Sequence, residues 1–232
     1  MNDSKRLSDV GKHRGPNPGI VAIVFMVLFN TGLYFVISFT EGEPHFPNPR
    51  DSAEVIAAYF QGHPRAVLLC AFFQFGSAIP LGLFTATVVS RLRFLGVKAA
   101  GVHIALFGGL MAAFNVALSA LVLWVMAYPG IAQEVPIVRA LYYVVFAIGG
   151  VGYSAPLGLL FAGISIPSGF YNLLPKWLVV FGLLLAVVGE LSWLSLVFPQ
   201  VVFLIPLTRF PGFIWLIIAG FMLPKAADVT LK

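Results

Sequence analysis

Two charged residues sit in runs that are otherwise almost wholly apolar: Glu190 in LAVVGELSWLS (185–195) and Arg209 in PLTRFPGF (206–213). A carboxylate and a guanidinium so placed could pair with each other, hold the polar head of a ligand, or move a proton. An unpaired charge in hydrocarbon costs from about 2.5 kcal/mol upward, so such groups face the bundle interior and find partners. The expectation is therefore an inward-facing Glu190 paired with Arg209.

Depth along a helix can be counted at about 1.5 Å per residue. Glu190 lies 14 residues past Lys176, and Arg209 lies 15 before Pro224. Asn115 is 15 past Ala100, Ser77 is 14 before Arg91, Ser154 is 13 before Pro167 and Tyr34 is 15 past Gly19. With Tyr153, these residues are expected to form one polar level, and they are the candidate ligand-binding set. The competing reading is structural, because interhelical polar groups also act as glue worth about 0.6 kcal/mol each.

Other chemistry is missing. The sequence has no GxSxG, HExxH, CxxC, Walker loop or paired Asp-rich motif. His45, His63, Glu41 and Glu43 lack metal-ligand spacing. No catalytic residue, cofactor or metal is expected, and a non-enzymatic role is favoured.

The elements that must position these residues follow from composition. Of 232 residues, 59% are hydrophobic and only 10% charged, against about 25% charged in a soluble domain. This describes an all-α, multi-pass membrane protein in contact with the lipid bilayer. The single cysteine, Cys70, allows no intrachain disulfide. The net charge of +5 resides in helix-flanking loops, so it reports orientation rather than nucleic-acid binding.

About 20 apolar residues cross a bilayer core, and six stretches qualify: 19–40, 66–90, 100–127, 139–165, 177–197 and 200–223. They make a transmembrane domain over 19–224, between a polar leader (1–18) without a cleavage pattern and a tail (225–232). With the leader inside, ten basic residues (Lys5, Arg6, Lys12, Arg14, Arg91, Arg93, Lys98, Lys176, Lys225 and Lys232) lie inside. Only Arg50, Arg65, Arg139 and Arg209 fall outside or near it, so both termini are expected in the cytoplasm.

The external loop holds DSAEVIAAYFQG, where Asp51 and Glu54 have capping-box spacing and Val55/Tyr59 and Ile56/Phe60 share a face. It predicts an amphipathic helix over 51–61 acting as a lid or packing element. Pro199, Pro206 and Pro211 interrupt the last span, which predicts a broken half-helix over 198–208 and a start near Arg209.

The second and fourth spans share a phrase, GSAIPLGLF (76–84) and GYSAPLGLLF (152–161). Aligning Pro80 with Pro156 also aligns Gly76 with Gly152, the residue whose carbonyl each proline frees. A duplicated helical hairpin is one reading; chance likeness of glycine-rich helices is the other. Small-residue stripes Gly150/Ser154/Gly158/Ala162 and Ala78/Gly82/Ala86 predict close helix approach.

The phrases DSAEVIAAYFQGHP, PLG…SRLRFLG, LLPKWL and TRFPGFIWLIIAGFMLP resemble a family of uncharacterised bacterial six-helix integral membrane proteins, a domain of unknown function. The resemblance covers most of 18–225 and implies a six-helix fold in the bacterial inner (plasma) membrane, with no activity attached. Three functions remain open. The favoured one is binding or passage of a small, largely apolar ligand through an intramembrane cavity. The others are an accessory subunit packed on a membrane protein partner, and a lipid- or isoprenoid-modifying enzyme.

Overall fold

The computed structural model describes residues 11, 13–37 and 46–226. Its helices are α1 (Pro18–Val36), α2 (Ala53–Gly62), α3 (Pro64–Phe94), α4 (Gly101–Met126), α5 (Val135–Gly149), α6 (Val151–Phe170), α7 (Lys176–Leu191) and α8 (Leu204–Met222). With α5 and α6 taken as one interrupted span, six segments among the described residues are long and apolar enough to cross a membrane. The protein is an all-α, multi-pass membrane protein.

Local sequence sets the helix ends. Asn17 Oδ1 accepts from Gly19 N at 3.0 Å, and Pro18 sits at the first helical position of α1, where a missing N–H costs nothing. The α8 start uses the same rule. Pro206 falls in the first turn, so the helix begins at Leu204 and Arg209 is already inside it, earlier than the start near Arg209 expected above. Short 3₁₀ turns at Ser192–Leu196 and Pro199–Val201 carry the chain there from α7.

An even number of spans returns the chain to its starting side, and the two ends are stitched together there. His13 N donates to Lys225 O at 2.8 Å. Arg91, 1% exposed, donates to Leu223 O at 3.3 Å and to Pro16 O at 3.5 Å. His13 Nε2 lies 3.0 Å from Ser90 Oγ. Burial, reinforced by the Arg91 charge, holds the His13 imidazole below its ordinary pKa.

On the opposite side, α2 lies across the helix ends. Ile56, Ala57, Tyr59 and Phe60 are buried with Val36, Val67, Met126 and Tyr142 in a satellite core. Tyr59 Oη donates to Val36 O at 3.0 Å, and Gln61 Nε2 to Ala132 O at 2.8 Å. The cap is Ser52, whose Oγ accepts from Val55 N, rather than Asp51. Asp51 instead closes the preceding turn by accepting from Asn48 N at 2.7 Å. Val55 is turned out of the buried stripe and is 53% exposed.

The two small-residue stripes have different fates. Gly150, which caps α6, and Ser154 and Gly158 within it are all buried. A Cβ at Gly158 would lie 2.9 Å from Ala186 O, and one at Gly189 would lie 2.9 Å from Gly158 Cα. Only glycine at both positions lets α6 and α7 cross this closely. In α3, Ala78 is buried in the core, whereas Gly82 meets nothing and Ala86 is exposed, so only one end of that stripe packs in the bundle.

The prolines at the centre of the repeated phrase also diverge. Pro156 lies inside α6, and Asn115 Nδ2 of α4 donates to the Gly152 carbonyl that it frees. In α3, Ser77 Oγ donates to Gln74 O at 2.6 Å, a bond within its own turn.

Candidate functional site

The fourth span breaks at Gly150, whose ψ of −94° is outside the helical range. Gly150 N still donates to Phe146 O at 2.8 Å and Ser154 N to Gly150 O at 2.9 Å. The Gly149 carbonyl falls between these bonds, and Arg209 Nη2 of α8 donates to it. The guanidinium carbon lies 5.2 Å from the ring centroids of both Phe29 and Tyr153, within cation–π range. Among the described residues Arg209 pairs with no carboxylate, and its Nε is buried without a hydrogen-bond partner.

Above this arginine lies a cavity of about 320 Å³, at the small end of the 300–1,000 Å³ usual for ligand pockets. Its walls come from α1, α3, α4 and α5: Phe29, Leu33, Cys70, Gln74, Ser119 and Val145 among others. Ser119 Oγ is committed to Val145 O at 3.2 Å. The segment Phe46–Pro49 forms the roof, held down because Tyr142 Oη donates to Pro47 O and Tyr143 Oη to Pro49 O. From Tyr142 at the roof to Gly149 at the floor, α5 rises about 10 Å. The lid is therefore segment 46–49; α2 supplies no lining residue.

The polar level expected from depth counting is thus only partly assembled. Arg209 lines the cavity, with Tyr153 beside its guanidinium. Asn115 serves Gly152, and Ser77 is fully buried in its own turn. Ser154 is fully buried, with no partner for its Oγ. Tyr34 is 71% exposed on the outer face of α1, opposite the buried stripe of Ala22, Phe25, Phe29 and Gly32.

The expected Glu190–Arg209 pair is not formed. Glu190 Oε1 is buried without a partner beside Gly158, 3.3 Å from where a Cβ there would stand. Arg209 reaches Gly149 at the end of α5 and the Tyr153 ring of α6, whereas Glu190 lies beside Gly158 on another face of α6. The two charges approach α6 from different faces. Glu41, Glu43 and His45 lie outside the described residues.

Several cavity residues had no signal of their own in the sequence. Cys70, Gln74 and Ser119 are small or singly polar residues in apolar spans. Only the Gly149–Gly150 pair within a long apolar run marked the break beneath them. No family model, curated protein or solved structure matches the chain.

Proposed function

We propose that the protein binds or passes a small, largely apolar ligand in the cavity between α1, α3, α4, α5 and α8. The observation that carries this reading is a roofed, mainly apolar chamber with, among the described residues, one cation at its floor, where a span is interrupted. Broken membrane helices gather binding sites because their freed backbone groups must line something polar. The excess of Lys and Arg on the side bearing the termini favours a cytoplasmic location for both ends. Together with the family resemblance, it supports residence in a bacterial inner membrane.

The rivals have less behind them. An accessory subunit would present the Gly150/Ser154/Gly158/Ala162 stripe outward, but that stripe packs on α7. A lipid-modifying enzyme using Glu190 would need that carboxylate in the cavity, and Glu190 is not among the lining residues. Native mass spectrometry of protein released gently from its own membrane tests the reading. A discrete bound mass is expected, and Val145→Phe, which fills the chamber, should lose it. Bare wild-type protein would contradict the proposal.

A further inference from the structure

We infer that the cavity's ligand is a single-chain amphiphile with a monoanionic carboxylate head, seated head-down on Arg209 with its tail toward the roof at Phe46–Pro49. The inference rests on the ligand-binding reading and names the ligand's chemical class.

Arg209 brings a permanent positive charge into an apolar bundle, and its one hydrogen-bond acceptor among the described residues is the neutral carbonyl of Gly149. The two rings beside it stabilise the cation but do not neutralise it. An anion arriving from the cavity would complete the site, because a buried charge is tolerated when paired and hydrogen-bonded. Hydrogen bonds between a guanidinium and a carboxylate are among the stronger ones available.

The charge count selects the head. Among the described residues Arg209 is the only basic one in the cavity wall, so it balances one negative charge. A phosphate monoester carries about −1.5 to −2 at neutral pH and would leave charge unmatched. Size selects the body. The chamber holds about 320 Å³ and extends about 10 Å from floor to roof, which suits one medium-length chain rather than a two-chain lipid. Arg209, Gln74, Ser119, and Asn48 and Tyr142 at the roof are its polar lining side chains beside the Cys70 thiol, and the rest of the wall is apolar, as a hydrocarbon tail requires.

The test uses the full chain, stripped of endogenous lipid in mild detergent at pH 8. Decanoate, decanol and decyl phosphate are titrated separately, with bound masses read by native mass spectrometry. Wild-type protein should bind decanoate at least about tenfold more tightly than decanol, the advantage of a charge-assisted hydrogen bond. It should also prefer decanoate to decyl phosphate. Arg209→Met should keep decanol binding and lose the preference for decanoate. The wild-type comparison needs no variant, so it stands even if Arg209→Met fails to fold.

Equal binding of decanoate and decanol would overturn the charged head while leaving the cavity reading intact. No binding of any probe would remove both. Preference for decyl phosphate would overturn the carboxylate assignment. Glu41 and Glu43 lie between Ile37 and Phe46, two lining residues. If the Glu41→Gln/Glu43→Gln protein binds decanoate more than tenfold tighter than wild type, the chain supplies its own counter-ion and the inference fails.

Discussion

Arg209 donates to the carbonyl of Gly149 where the fourth span is broken, so one side chain both closes the backbone gap and charges the cavity floor. The two roles separate by substitution. Arg209→Met removes the donor and should cost about 1–3 kcal/mol, the usual loss for a charged hydrogen bond. Arg209→Lys retains the charge but loses the planar fork that meets Phe29 and Tyr153, so a smaller loss is expected. Equilibrium unfolding in mixed micelles reads both values.

Asn115 and Pro156 form a linked pair through Gly152. The proline removes the N–H that would bond the Gly152 carbonyl, and Asn115 Nδ2 replaces it. Asn115→Ala alone should cost roughly 1 kcal/mol. In a Pro156→Ala background, where the backbone donor returns, the same change should cost much less. A double-mutant cycle giving additive losses would contradict this linkage.

Glu190→Gln should be well tolerated. Among the described residues its carboxylate pairs with no cation, and one oxygen is buried without a partner, so a neutral side chain of the same shape removes an uncompensated charge. Thermal stability should hold or rise, and any co-purifying ligand should remain bound. A loss of several degrees in Tm would show a partner for Glu190 that this geometry lacks.

Gly158 and Gly189 set the distance between α6 and α7. Gly158→Ala places a methyl group 2.9 Å from Ala186 O and 3.1 Å from Glu190 N, both backbone atoms that cannot turn aside. A loss of about 1–3 kcal/mol is expected, as for other overpacked sites. Gly82→Ala on α3, where nothing lies within 4 Å, should be neutral.

The stitch between the termini should loosen in acid. His13 has a pKa below its ordinary 6.5 because burial and the Arg91 charge both disfavour imidazolium. The folded state therefore binds a proton less readily than the unfolded chain. Its contribution to stability is present above pH about 6.5 and is lost as pH falls through the lower folded value. An NMR titration of the His13 ring should give a midpoint below 6.5, rising in Arg91→Met. A midpoint at or above 6.5 in the wild type would contradict the burial seen here.

The sequence exposed some of this architecture and hid the rest for physical reasons. Long apolar runs must form spans in lipid, so the six segments were legible from composition alone. The freed carbonyl at Gly152 was legible too, because a mid-helix proline fixes which acceptor goes unmet. Azimuth was not legible. Counting residues put Glu190 and Arg209 at one depth, but rotation about α6 decides who meets whom, and it separated them. Tyr34 was lost from the site in the same way, by pointing away from the bundle. The lid fell to Phe46–Pro49 because Tyr142 and Tyr143 anchor that segment by backbone carbonyls, an interaction without sequence pattern.

If the chamber above Arg209 holds a ligand, as proposed, the one cysteine of the chain, buried in its wall, offers the most direct test. Native membranes would be treated with N-cyclohexylmaleimide to partial labelling, and the intact protein read by native mass spectrometry. Alkylated Cys70 and the bound mass should exclude each other, so that every liganded molecule is unlabelled and every labelled one is bare. Molecules carrying both would contradict the account.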